Sequence, residues 1–131
     1  MDKEVIKIAN CSGYYGDKLS AAKELVDGGP IDVLTGDYLA ELTMAILYGQ
    51  KIQRGDDKGY VGTFLKQIKE VAASCKEKKI KIVSNAGGLN PKSMAAEIEK
   101  ILDDLSIDLK VAYIDGAVSY THLRAHETRY H

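Results

Sequence analysis

The segment IKIVSNAGGLNPKSM, residues 80–94, contains the features that decide the fold. It begins with a β-branched run at 80–83, which is typical of a buried strand. A polar loop with two glycines follows, and Asn90 with Pro91 indicates a helix start, because asparagine is a favoured N-cap and proline suits the first helical position. This order of strand, loop and helix is the unit from which parallel α/β sheets are built.

The same alternation extends in both directions from this segment. Strand-like runs occupy residues 5–9, 31–34, 80–83 and 109–114. Apolar residues at helical spacing lie between them, at 19–26, 38–48, 61–75 and 94–105. The pattern predicts an α/β fold: a parallel sheet with helical crossovers in the order β-α-β-α-α-β-α-β, truncated after the fourth strand. Asp17 is expected to cap the first helix, and the second helix, apolar on most sides, is expected to be well buried.

The composition is that of an ordinary globular domain, with 45% hydrophobic and 28% charged residues and a net charge of -1. Mixed acids and bases give no electrostatic signal for nucleic acid or a membrane surface, so a small-molecule ligand is expected. The most apolar stretch, 39–47, is far shorter than the roughly 20 residues of a membrane span. Neither a membrane segment nor a secretory signal is evident, which favours a cytoplasmic protein. The two cysteines, Cys11 and Cys75, are expected to be reduced, with Cys75 in the core.

The end of the sequence differs from the rest, because all three histidines lie within its last ten residues. His122 and His126 have the spacing of a helical zinc site. However, residues 118–128 read VSYTHLRAHET, which resembles, letter for letter, one reading frame of a transposase sequencing adapter. The alternative, a natural polar tail, is disfavoured by the abrupt change in composition. We therefore interpret 118–131 as a non-native tail and 1–117 as the N-terminal part of a longer protein, and we predict no metal site.

Polar and glycine residues follow each predicted strand, where ligands bind in an open parallel sheet. Any one of these residues can instead be a turn or cap residue, but four loops on one edge together favour a site. Neither glycine loop matches a standard nucleotide fingerprint, so the cofactor is left open. The candidate ligand-binding residues are Asn10, Ser12, Gly13 and Gly16 after the first strand, Thr35 and Gly36 after the second, Ser84, Asn85, Gly87, Gly88 and Asn90 after the third, and Asp115 after the fourth.

Three residues are candidates for catalysis. Cys11 follows a strand and can face a helix N-terminus, which would lower its pKa and make it a nucleophile; without a native histidine as base, a buried structural cysteine is the alternative. Asp37 and Glu41 are four residues apart and would share one face at the start of the second helix. They could form an acid/base pair or bind a divalent ion, or they could be a capping Asp and an exposed Glu.

Three segments in order carry a resemblance to a known family. IANCSGYYGDKL (8–19), GGPIDVLTGDYLAELT (28–43) and IVSNAGGLNP (82–91) resemble the N-terminal signature of the acyclic terpene utilisation (AtuA-like) family. The resemblance covers about 5–116 and includes Asp17, Asp37, Glu41 and the candidate ligand-binding residues other than Asp115. It implies a bacterial, cytoplasmic protein several times longer, which takes part in the catabolism of acyclic isoprenoids such as citronellol and geraniol through coenzyme A thioesters.

Two functions remain open at this point. The first is an enzyme or enzyme subunit that acts on a small carboxylate or an acyl thioester, for which a coenzyme A thioester is a candidate substrate. The second is a non-catalytic protein that binds a metabolite or associates with a carboxylase, and self-association is a further option. A dinucleotide-binding oxidoreductase is disfavoured, because no G-x-G-x-x-G follows the first strand.

Overall fold

The computed structural model describes residues 5–115, which form a three-stranded sheet and four helices. The α/β class and the parallel sheet with helical crossovers are confirmed. In chain order the elements are β1 (Ile8–Asn10), α1 (Ala21–Gly28), β2 (Val33–Gly36), α2 (Glu41–Arg54), α3 (Thr63–Lys78), β3 (Lys81–Ser84) and α4 (Pro91–Asp104).

The sheet has the order β1-β2-β3, and both pairings are parallel. Leu34 in the central strand is opposite Ala9 on one side and Ile82 on the other, and it is buried. Side chains alternate between the two faces of a strand, so the preceding and following residues point the other way. Ile8 and Val83 are 64% and 60% exposed. One face of the described sheet therefore packs on the helices, and the other is open.

Helix α3 connects two hydrophobic clusters. Phe64 and Ile68 belong to the larger cluster, whereas Val71 and Cys75 belong to a smaller one with Leu34. Cys75 is 1% exposed, which confirms its predicted place in the core. Burial raises the pKa of its thiol to about 11.

The predicted fourth strand, 109–114, is not formed within the described residues. Leu109 and Val111 pack against the larger cluster, while Lys110 between them is exposed. This alternation is that of a half-buried extended chain. Alternation and β-branched residues describe such a chain without specifying a partner strand, and here Leu109 and Val111 pack against the larger cluster instead.

Helix α2 is less buried than its composition predicts, and it begins later. Tyr38 precedes the helix and is only 2% exposed, so a core position is filled before the first helical turn. Thr43 and Leu47 are the buried residues of the helix. Leu42 is 73% exposed and Ile52 is 65% exposed. Within residues 5–115, no helix is long and apolar enough to cross a membrane.

Helix α4 begins as predicted. The side-chain oxygen of Asn90 accepts the backbone N–H of Ser93 at 3.2 Å, and Pro91 is the first helical residue. Residues 118–131, interpreted above as a foreign tail with two spaced histidines, lie outside the described residues.

Candidate functional site

The loops after β1, β2 and β3 meet at the carboxyl edge of the sheet, because the three strands are parallel neighbours. The backbone N–H of Cys11 donates to the carbonyl oxygen of Thr35 at 2.8 Å. The N–H of Asp37 donates to the carbonyl oxygen of Ser12 at 2.9 Å. Three of the four predicted loops are thus brought together. Asp115, the last described residue, follows a segment that is not a strand. It therefore does not follow a fourth strand at this edge, as the sequence predicted.

Asn85 joins the loop after β3 to the loop after β2. Its side-chain nitrogen donates to Oδ1 of Asp37 at 2.8 Å, and its side-chain oxygen accepts the backbone N–H of Tyr38 at 2.9 Å. The Asp37 side chain is exposed, and it follows the central strand. The result is a carboxylate that is fixed in direction and open to solvent at the middle of the edge.

Asn10 and Thr35 form a second contact across the edge. The Thr35 hydroxyl donates to Oδ1 of Asn10 at 3.0 Å, and Nδ2 of Asn10 donates to the carbonyl oxygen of Ser12 at 2.8 Å. Asn10 is exposed, so its amide is held at the surface. Ser12 is 3% exposed, and its hydroxyl donates to the carbonyl oxygen of Tyr14 at 2.8 Å. Ser12 therefore holds the loop together rather than facing a ligand.

Ser84 is also occupied within the protein. Its hydroxyl donates to the carbonyl oxygen of Gly36 at 2.9 Å and accepts the backbone N–H of Ala86 at 3.1 Å. Gly36 is the buried last residue of β2. These contacts link the ends of β2 and β3. Ser84 therefore has a structural role at the carboxyl edge of the sheet.

The two glycines after β3 are explained by close packing. A Cβ at Gly87 would lie 2.7 Å from Cβ of Pro91. Gly88 has φ +57°, and a Cβ there would lie 2.5 Å from Cδ1 of Leu47 and 2.9 Å from the carbonyl oxygen of Gly59. Both positions require glycine to fold the loop against its neighbours, irrespective of any ligand.

Both polar atoms of the Asn90 side chain also form hydrogen bonds within the protein. In addition to its cap contact, its Nδ2 donates to the carbonyl oxygens of Asp56 and Lys58 at 2.8 and 3.0 Å. The side chain therefore fixes the connection between α2 and α3 to the start of α4. It leaves no donor directed at a ligand.

Asp17 does not cap α1, which begins at Ala21. Its two carboxylate oxygens accept the backbone N–H groups of Gly13 at 2.9 Å and Lys18 at 2.8 Å. These two bonds hold the pKa of Asp17 below its ordinary value. The carboxylate closes the turn that contains Gly16, whose φ is +104°. A local turn thus competes with the helix start for the same side chain.

Cys11 has the environment of a core cysteine. It is 4% exposed, and burial raises the pKa of its thiol, although its hydrogen-bond contact with the Tyr38 hydroxyl, 3.8 Å away, works in the opposite direction. The shift is opposite to the lowering that would activate a nucleophile. The structure therefore favours the structural alternative for this residue.

A buried polar contact that no sequence pattern indicated lies below the edge. The Tyr38 hydroxyl donates to the side-chain oxygen of Gln67, and Nε2 of Gln67 donates to the carbonyl oxygen of Leu19 at 3.3 Å. Burial raises the pKa of Tyr38 above its ordinary value. Helical spacing placed Tyr38 on α2, so the sequence contained no signal for this contact.

Asp37 and Glu41 do not share a helix face. Asp37 lies in the segment before α2, and Glu41 is the first residue of the helix, with Ala40 at the N-cap. Glu41 is exposed, and within residues 5–115 its side chain has no hydrogen-bond or ion-pair partner. The spacing of four implied a common face only if both residues were helical. Among the described residues, no group of three or more His, Cys, Asp or Glu side chains is placed to hold a metal ion.

Comparison with known proteins identifies the family. No curated protein and no solved structure matches the chain. The family model described as acyclic terpene utilisation family protein AtuA matches residues 6–131, a range that includes the segment interpreted above as foreign. The chain belongs to the acyclic terpene utilisation (AtuA) family.

Proposed function

We propose that this chain is part of a bacterial, cytoplasmic enzyme or enzyme subunit that acts on small carboxylates or acyl thioesters in the catabolism of acyclic isoprenoids. Family membership supports the pathway. The observation that supports catalysis is the Asp37 carboxylate, which is exposed at the end of the central strand and held by Asn85 at 2.8 Å.

The chemical role of Asp37 follows from its position. A carboxylate can accept a proton from a substrate carbon or from an attacking water molecule when it lies within hydrogen-bonding distance. Only one of its oxygens is bonded to Asn85, so the other can face the substrate. The surface amide of Asn10, held by Thr35, is a polar group that can orient a substrate on the same edge.

The test uses the full-length protein in a strain that depends on it for growth on citronellol or geraniol. Asp37→Asn removes the charge and should abolish growth while the protein remains folded, because an asparagine oxygen can still accept from Asn85. Asp104→Asn, at the exposed end of α4, is the matched control and should leave growth unchanged. Normal growth of the Asp37→Asn strain would remove the catalytic assignment.

Glu41→Gln tests whether the second acid takes part. Because Glu41 has no side-chain partner among the described residues, we expect growth close to that of the parent strain. Loss of growth would return Glu41 to the catalytic group alongside Asp37.

A second candidate function is a non-catalytic partner, for example of an acyl-thioester carboxylase. It is favoured by exposed apolar side chains on the open sheet face, at Ile8 and Val83, and on α2, at Leu42 and Ile52. Apolar surface of this kind is typical of a face that another protein covers. This function predicts that the protein co-purifies with the carboxylase. Leu42→Asp should abolish this co-purification, and Asp37→Asn should preserve it.

A further inference from the structure

A cleft of about 200 Å³ lies between the loop after β1, the end of α2 and the start of α3. It is separate from the Asp37–Asn85 contact, and sequence analysis gave no indication of it. The polar side chains that line it belong to Tyr15, Gln50, Arg54, Lys58 and Tyr60. Each of these five side chains carries a donor, and Arg54 and Lys58 carry no acceptor.

The charge of this cleft is positive. Arg54 has no ion-pair partner within residues 5–115. Lys58 lies 3.9 Å from a carboxylate oxygen of Asp57, whose side chain is 74% exposed. Such an exposed pair is weak, because water competes for both charges. At least one full positive charge therefore remains available for a ligand.

The remaining lining residues determine the shape of the ligand that fits. Nε2 of Gln50 donates to the Tyr15 hydroxyl oxygen at 3.5 Å, which leaves the hydroxyl proton of Tyr15 free to point into the cleft. Leu65 supplies an apolar wall. Gly62 is the N-cap of α3, and the first turn of this helix contains no acidic residue, so no internal carboxylate competes there with an incoming anion.

We propose that this cleft binds a small organic oxyanion, a carboxylate or a phosphate, with the oxygens at Arg54 and Lys58 and the apolar part against Leu65. Arginine recognises both groups through paired N–H donors. Tyr15 adds a neutral donor from the loop that follows Asn10 at the end of β1, and so places the cleft beside the carboxyl edge of the sheet. The inference stands on the cleft alone and does not require a catalytic role for Asp37.

The experiment is isothermal titration calorimetry on the full-length protein with two probes, inorganic phosphate and isovalerate, a short branched carboxylate. Arg54→Gln should weaken binding roughly tenfold or more, since a charge-assisted hydrogen bond is lost. Lys69→Gln removes the same charge from an exposed position on α3 outside the cleft and should leave the affinity unchanged. Tyr15→Phe, which removes only the hydroxyl group, should also weaken binding.

Binding of either probe with this pattern of variants supports the site, and the preferred probe identifies the oxyanion. The proposal is overturned if neither anion binds. It is also overturned if Arg54→Gln and Tyr15→Phe bind like the parent protein, or if Lys69→Gln loses as much affinity as Arg54→Gln. The outcome is independent of growth with Asp37→Asn, so failure of one proposal is distinguishable from failure of the other.

Discussion

Asn85 holds Asp37 and the backbone of Tyr38 with the two ends of one amide group. Nδ2 donates to the Asp37 carboxylate at 2.8 Å, and Oδ1 accepts the N–H of Tyr38 at 2.9 Å. The exposed acid at the centre of the edge is therefore positioned by a residue from the neighbouring strand's loop. A residue that acts through another in this way has a positioning role.

Replacing Asn85 should affect both stability and activity. Asn85→Ala leaves the Tyr38 N–H without its acceptor and frees Asp37, so we expect a loss of about 1–2 kcal/mol in the free energy of unfolding, together with lower activity. Asp37→Asn is the contrasting variant and should lose activity alone. Urea denaturation and growth assays on both variants check this. Equal stability of Asn85→Ala and the parent protein would contradict the role assigned to Asn85.

Gly88→Ala should destabilise the protein strongly. The left-handed backbone disfavours a side chain, and the new Cβ would approach Leu47 at 2.5 Å, so we expect a cost of about 2 kcal/mol or more. Gly49→Ala in α2 is the control, because nothing lies within 4 Å of its Cβ position. That variant should be neutral or gain about 0.5–1 kcal/mol from helix propensity. The urea midpoint should therefore fall for Gly88→Ala and stay the same or rise for Gly49→Ala, and an equal fall in both variants would contradict the role assigned to Gly88.

Asn90→Ala should lower stability by about 1–2 kcal/mol, because it removes the cap of α4 and the two contacts to the preceding connection. Asn90→Ser keeps a side-chain oxygen that can cap Ser93 and removes the donor to the carbonyl oxygens of Asp56 and Lys58. We therefore expect Asn90→Ser to cost less than Asn90→Ala. If both variants unfold at the same urea concentration, the cap contributes nothing measurable.

The raised pKa of the buried Cys75 thiol predicts that the protein loses stability at alkaline pH. The pKa of its thiol is about 11 in the folded protein, against an ordinary value of 9.0. The unfolded chain releases its proton first as pH rises, so the stabilisation is complete below pH 9 and is lost as pH passes through 11. The difference corresponds to about 2–3 kcal/mol for full burial of the thiol. Free energies of unfolding between these two pH values measure it.

Cys75→Ala supplies the control for the alkaline profile. The variant should be less stable at every pH, because it leaves a cavity in the core. Its stability should nevertheless fall less steeply above pH 9, since the titrating thiol is gone. Cys11 and Tyr38, whose pKa values are also raised by burial, keep a residual slope in both proteins. Identical slopes in the two proteins would refute the assignment to Cys75.

Local patterns in the sequence were sufficient for the order of the elements from β1 to α4 and for the α/β class. The Asn90–Pro91 helix start and the core position of Cys75 were also predictable, since capping and helical periodicity are short-range properties. The convergence of three loops on one edge followed too, because parallel neighbouring strands end on the same side. The family was recognisable from three ordered segments of the chain.

Tertiary structure alone decided which of those polar residues are free to meet a ligand. The side chains of Ser12, Ser84 and Asn90 form hydrogen bonds within the protein, whereas the side chain of Asp37 is exposed. The residue types alone did not distinguish these two outcomes. Tyr38 lies in the core before α2 begins. Asp37 therefore also precedes the helix and does not share a helix face with Glu41. Leu109 and Val111 pack against the larger hydrophobic cluster, and residues 109–114 pair with no strand within the described part of the chain. In each case the outcome depended on contacts between residues far apart in the chain, and local propensity contains no information about such contacts.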